Sequence, residues 1–307
     1  MRCEPTRKAG GRFPTHFKRV ASTAFLAALW RGHAYGSRHQ RDGARKLDAN
    51  ALEAWLTRVY SPTQAVLVVA GDLDPDAIVT MARTHLDSLG VDQPIAQPPP
   101  PSYAPARPRY LVTPLATAKE VSMRWGCLTE ARTPQDEAAN QLLGAWLRQQ
   151  VTKTMREERG LTYAPGTESV SYWGGSGALE SNYETLAAES GTALQLFRQA
   201  LDAPVSREAL LAAAWEVLRQ RNGLFEVPAG PAFELALEAR ASWSVSSMAQ
   251  WPQILTTTSI EQFTAARAHC QGTQVFSLMG DVEAIRHGMK EAGVSEAELE
   301  VLQRVSK

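Results

Sequence analysis

Cysteine is sparse in this chain, and its three copies, Cys3, Cys127 and Cys270, stand far apart in 307 residues. No CxxC pair is available to grip a metal, and no dense cysteine framework to staple a small secreted fold. The spacing predicts three unpaired thiols, with Cys127 a core residue inside an apolar strand pattern. Neither sign of charge is in excess, since 32 Lys+Arg balance 32 Asp+Glu. The balance excludes the broad positive field that gathers proteins on nucleic acid or anionic membrane. Long hydrophobic runs are missing too. The nearly uncharged stretches are short or broken by Pro and Gly, so no transmembrane span is expected. Residues 18–30 have the basic flank and apolar run of a signal peptide, but the run starts late and continues amphipathically into Arg31. A core helix is predicted there. The default compartment is the cytoplasm, with the periplasm expected if a leader precedes Met1.

Histidine is scarce and badly spaced. His16, His33, His39, His85, His269 and His287 are all there is, and none has a second His three or four residues away. Two imidazoles therefore cannot share one helix face around an ion, which excludes His-Glu-x-x-His and its inverted form. A site assembled from His33, His39 and Asp87 has no spacing logic, and surface or capping roles suit these residues better. The Gly-containing stretches 174–177 and 228–232 lack the context of a phosphate loop, so no nucleotide site is assigned.

Proline is concentrated. Seven of the 18 prolines fall within residues 94–108, enough to exclude helix or central strand and to predict a stiff extended linker. The linker divides the chain into residues 1–93 and 109–307. An internal repeat relates the two parts. Leu52-Glu53-x-Trp55 recurs as Ile260-Glu261-x-Phe263, and Val66–Leu73, ending in Gly71-Asp72-Leu73, recurs as Val275–Val282, ending in Gly280-Asp281-Val282. Each copy reads as a helix, an apolar strand, a Gly-Asp turn and another helix.

The second part reads as a whole domain. Tyr110–Thr113 is a short strand, and Lys119–Cys127 alternates with Val121, Met123, Trp125 and Cys127 on one face. Thr133-Pro134 starts a helix whose apolar stripe holds Leu142, Leu143, Trp146, Leu147 and Val151. A hairpin turns at Gly174-Gly175. Helices over Leu186–Leu201, Arg207–Arg221, Pro231–Trp243 and Ile260–His269 lead to the repeated strand, with Trp146 and Trp215 expected in the core. The pattern implies an α+β two-layer sandwich, a mainly antiparallel sheet with helices on one face. In the first part only Val66–Ala70 reads as a strand, among helices near Pro14–Trp30, Asn50–Tyr60 and Pro75–Leu89. One strand cannot satisfy its own backbone. The first part therefore reads as a truncated copy, whose strand is expected to recruit another chain.

The block Arg156-Glu-Glu-Arg-Gly-Leu-Thr-Tyr163 closes an apolar-periodic helix and opens a strand, setting a fixed cation and a phenol seven residues apart. By itself it reads more readily as a solvated helix end with a Gly160 cap and Tyr163 as a strand aromatic. With the order of elements around it, it resembles the second-domain signature of the pitrilysin/insulinase zinc peptidases, the inverzincins. Gly32-His33-Ala34-Tyr35-Gly36 and Tyr60-Ser-Pro62 are similar to later parts of that family's first domain. The resemblance implies that Arg156 and Tyr163 contact substrate or its transition state: the phenol donates to an oxyanion, and the guanidinium grips a carbonyl or holds the phenol. The family's His-x-x-Glu-His is not in this sequence, and Glu4, near the place of its third ligand, lacks a helical setting. No metal ligand or cofactor is assigned; zinc is expected only in a partner or a full-length form. The leading expectation is a non-catalytic half, binding peptide or unfolded protein and paired as a homo- or heterodimer with a zinc-bearing subunit. The alternatives are an active zinc endopeptidase whose motif lies outside this chain, and a non-peptidase interaction module on the same fold.

Overall fold

The computed structural model describes residues 15–37, 47–59, 65–86, 101–103, 106–227, 229–240 and 247–302. Cys3, Glu4, His39, Tyr60-Ser-Pro62, Asp87 and most of the proline-rich stretch lie outside them. The described helices are α1 (Thr15–Leu29), α2 (Ala49–Val59), α3 (Pro75–Leu86), α4 (Pro134–Val151), α5 (Ser190–Asp202), α6 (Arg207–Leu224), α7 (Ala229–Arg240), α8 (Ser247–Thr257), α9 (Ile260–Gln271) and α10 (Val282–Glu291). The strands are β1 (Arg109–Pro114), β2 (Glu120–Glu130), β3 (Gly166–Ser171), β4 (Ser176–Leu186), β5 (Val275–Gly280) and β6 (Leu299–Val301).

These strands form one sheet in the order β3-β4-β2-β5-β1-β6. The pairs β3/β4, β4/β2 and β2/β5 are antiparallel, while β5/β1 and β1/β6 are parallel. The fold is α+β, and its sheet is mainly antiparallel. Val121, Met123, Trp125 and Cys127 alternate along β2 and are all buried beneath the helices, as their period of two requires. Against them pack Leu142, Leu143, Trp146 and Leu147 of α4, Leu194 and Phe197 of α5, and Phe263 of α9. Thr133 caps α4, its hydroxyl accepting from the Asp136 amide while Asp136 accepts from the Thr133 amide, and Pro134 takes the first turn. The β3–β4 hairpin turns at Gly174 and Gly175, with φ of 72° and 75°. A Cβ at Gly175 would run into the Ala131 carbonyl, so only glycine fits there.

Three expectations are corrected. Cys127 and Cys270 are not free thiols but a disulfide, with Cα atoms 5.0 Å apart. They lie 143 residues apart in sequence, and the sheet brings them together. Helix α9 leads into β5, β5 pairs with β2 in the register Gly126↔Val275, and the last turn of α9 therefore sits over Cys127. Trp215 is not core: it is 65% exposed on the outer side of α6, whereas Trp146 is fully buried. Nor are helices confined to one face of the sheet. Phe25, Leu26, Leu29 and Trp30 of α1 and its end cover Leu111, Leu128, Ala178 and Val275 on the opposite face. The contact is keyed by Arg124, whose Nε donates to Glu180 at 2.9 Å and Nη1 to the Ser22 hydroxyl at 3.0 Å. The same guanidinium lies 4.4 Å over the Phe25 ring. The signal-like run 18–30 is thus a core helix.

The repeated strand forms only once. Val275–Gly280 is buried at every position, whereas residues 65–70 pair with nothing among the described residues, and Val66 is 61% exposed. A strand needs neighbours for its amides and carbonyls, and none is placed beside this one. Helices α2 and α3 share that condition. Leu52, Trp55 and Leu56 of α2 and Val79, Met81 and Leu86 of α3 are exposed, and α3 buries no residue. Short helices without a packed apolar face open readily. In a monomeric sample, amides of residues 49–59 and 65–86 are expected to exchange at least about 100-fold faster than those of α4 and β5. Equal protection by hydrogen-exchange mass spectrometry would show that something covers these faces.

Candidate functional site

The helix that carries Arg156 is anchored from its far end. Leu142, Leu143, Trp146, Leu147 and Val151 hold α4 against the sheet, and Met155, fully buried, extends that stripe by one more step of four. Beyond Val151 the helix widens into a π-helical turn over Thr152–Glu157, in which the Glu158 amide donates to the Lys153 carbonyl at 3.0 Å. Met155 points inward and Arg156, the next residue, outward. Gly160 ends the turn with φ of +65°, a left-handed value that favours glycine. Its amide donates to the Arg156 carbonyl at 3.1 Å, and the Leu161 amide to the Met155 carbonyl at 2.8 Å. The chain doubles back, Thr162 is buried, and Tyr163 emerges beside Arg156.

The two predicted site residues therefore meet. The Arg156 Cζ lies 5.5 Å from the centre of the Tyr163 ring, and Tyr163 is 84% exposed. An exposed cation–π contact of this kind contributes about 0.5–1 kcal/mol, enough to bias the phenol's orientation without locking it. Among the described residues neither side chain has a hydrogen-bond or ion-pair partner, so the phenol O–H and the guanidinium N–H groups are open to a ligand. A donor phenol and a bidentate cation on one surface suit a peptide carbonyl that gains negative charge. Among the described residues no three His, Cys, Asp or Glu side chains gather as metal ligands. His33 instead caps the turn at Ala34–Gly36, its Nδ1 accepting from the Tyr35 amide at 3.2 Å.

A second concave surface, not singled out from the sequence, lies where α4, α6, α7, α8 and β3 meet. It is a cavity of about 320 Å³ whose polar lining includes Glu137, Ser169, Arg221, Glu234 and Glu238. Arg221 pairs with Glu234, lies 3.8 Å from a Glu238 oxygen and sits 4.4 Å over the Trp251 ring. The Trp251 indole N–H donates to Glu238 Oε1. Glu238 Oε2 has no partner, although the residue is only 2% exposed. Burial pushes the Glu238 carboxyl above the usual carboxylate range, partly opposed by the Trp251 N–H and the Arg221 charge. No sequence signal flags this cluster, because its members come from four helices and one strand with no motif spacing.

Comparison with known proteins places this geometry. The family model described as the peptidase M16 inactive domain matches residues 46–212, more than half of the chain. Among solved structures, the peptidase M16 inactive domain from Pseudomonas fluorescens is similar, with a TM-score of 0.68 and 18% identity, over 88% of this chain and 66% of that one. A protease from Helicobacter pylori gives a TM-score of 0.73 at 11% identity, over 87% of this chain and 67% of that one. The periplasmic protease PqqL from Escherichia coli gives 0.64 at 16%, over 87% of this chain and 31% of that one. The chain spans about two thirds of the length of the first two and under a third of PqqL. Identities this low speak to fold. Among curated proteins no match is found. Among the described residues no helix is long and apolar enough to cross a membrane.

Proposed function

Because the chain belongs to the M16 peptidase family, the pitrilysin/insulinase peptidases, and carries its inactive domain, we propose that it forms the non-catalytic wall of a peptidase chamber. In this reading residues 109–307 are that wall, residues 1–93 belong to the preceding domain, and 94–108 link them. The wall presents Arg156 and Tyr163 to a peptide or unfolded protein bound at a zinc ion. The zinc sits in a partner subunit or in a longer form of this polypeptide, where it supplies the Lewis acid and the activated water. This chain's own residues orient the substrate: the Tyr163 O–H donates to the carbonyl oxygen as it gains charge, and Arg156 holds the phenol or a neighbouring carbonyl.

The observation that carries this reading is the meeting of Arg156 and Tyr163 on an open surface, 5.5 Å apart, with their donors unspent. With the chain reconstituted beside a zinc-bearing M16 subunit from the same source, Tyr163→Phe is expected to lower kcat/KM on an unfolded casein substrate by about 100-fold. Arg156→Ala is expected to act in the same direction. Both side chains are exposed, so thermal unfolding should not move. Unchanged kinetics in both variants would leave an interaction module as the better description.

The proposed compartment draws on the disulfide. Bridges persist where the redox poise is oxidising, so the Cys127–Cys270 link favours a periplasmic or extracellular site over the cytoplasmic default. The similarity to a protein described as a periplasmic protease supports the same assignment.

A further inference from the structure

We propose that the cavity between α4, α6, α7, α8 and β3 binds the alkylammonium or alkylguanidinium group of a cationic ligand, with Glu238 holding the charge. The lining sets three carboxylates, Glu137, Glu234 and Glu238, against the single guanidinium of Arg221. Two of the three have internal partners: Glu234 pairs with Arg221, and Glu137 accepts from Gln141 at 2.9 Å and from the Ser171 hydroxyl at 3.0 Å. Glu238 differs in that only one of its two oxygens is satisfied. One oxygen takes the Trp251 indole N–H, and the other, buried, takes nothing. A buried carboxylate oxygen without a donor is disfavoured, and a donor entering the cavity removes that penalty. The Ser169 hydroxyl, also buried and without a partner, offers a second polar contact on the β3 side.

The chemistry of that donor is constrained from several directions. An anion would face three carboxylates. A bare metal ion would need several oxygens converging, and no such group is found among the described residues. A small organic cation fits both limits, because Trp251 and Phe233 supply apolar wall for its alkyl stem while Glu238 meets its N–H groups. The place is separate from the Arg156–Tyr163 pair. Glu137 and Arg156 lie near opposite ends of the α4 helix and its π extension, about 28 Å apart at 1.5 Å per residue. The proposal therefore stands without the chamber reading.

The charged group can come from a free amine or from a basic side chain of a polypeptide, and one experiment separates the two. Titrate the full chain with n-pentylammonium, with 1-pentanol, and with a short alanine peptide carrying one central lysine or norleucine, following the Trp251 indole N–H by NMR. The amine and the lysine peptide are expected to bind, and pentanol and the norleucine peptide are not. Glu238→Gln, which keeps the acceptor for Trp251, is expected to weaken binding about tenfold or more. Glu208→Gln, on the exposed first turn of α6, is expected to leave it unchanged. A lysine peptide that binds more tightly than the amine assigns a polypeptide source, and equal affinities assign a small molecule. Pentanol binding as well as pentylammonium, binding indifferent to Glu238→Gln, or no binding by either cation overturns the proposal. If Glu238→Gln fails to fold, the wild-type contrast between pentylammonium and pentanol still decides.

Discussion

Unfolding in urea with a reductant present is expected to show a stability lower by about 2–5 kcal/mol than unfolding without it. The difference measures the Cys127–Cys270 bridge, which joins β2 to the end of α9 across 143 residues of chain. In the chain-entropy account, a link that closes so long a loop removes much of the freedom of the unfolded state. Both cysteines are fully buried in the main core, so a reductant reaches them only as the domain opens, and the effect belongs to unfolded or refolding samples. Thiol counting gives an independent check. Of the three cysteines, one should react in denatured unreduced protein and three after reduction. Superimposable urea curves, or three reactive thiols before reduction, would return both sulfurs to the free state and withdraw the argument for an oxidising compartment.

The second large effect belongs to Phe197. Its ring is fully buried between β2, β4 and β5, 5.2 Å from Trp125, 5.8 Å from Tyr183 and 6.3 Å from Phe276. These rings come from three strands and one helix, so Phe197 fastens α5 to the middle of the sheet. Truncating a buried aromatic removes its transfer free energy and leaves a cavity that rigid neighbours cannot fill. Phe197→Ala is expected to cost about 3–5 kcal/mol in chemical denaturation. Trp215→Ala is the control: that larger side chain is mostly in water, and its loss should stay within about 0.5 kcal/mol. A small loss at Phe197, or a large one at Trp215, would mean that the helices pack on the sheet differently.

The contrast between these two residues shows where the linear chain could be read. Trp146 and Trp215 both sit on helical apolar stripes, and only the packing of α6 turns the second outward. Helix starts were legible because their chemistry is local: Thr133, Pro134 and Asp136 satisfy one another within four residues. The hairpin at Gly174-Gly175 was legible for the same reason, since left-handed backbone there calls for glycine. The start of α5 was misread. Residues from Leu186 read as helix, yet β4 runs on to Leu186 because that residue pairs with Glu120 of β2, and α5 begins at Ser190. The three-residue strand β6 was missed, since a segment so short has no periodicity to detect; its pairing with Tyr110–Val112 is what makes it a strand.

The candidate site divides in the same way. Arg156, Gly160 and Tyr163 form a local unit whose spacing, helix stop and turn are written within eight residues, so the family and the meeting of the two side chains could both be anticipated. The acidic cavity could not, because Glu137, Arg221, Glu238 and Trp251 acquire meaning only when four helices converge. The same limit governs the repeated strand. Val66–Ala70 and the matching residues of β5 carry nearly the same pattern, and one is a central strand while the other stays unpaired and exposed. Residue order alone settles what lies within a turn or two of each residue: its propensity, its caps, its reach. Pairing, bridging and burial depend on partners beyond the local turn, many of them far along the chain, and hydrogen bonds, sulfur–sulfur links and desolvation exist only once those partners have been brought into contact.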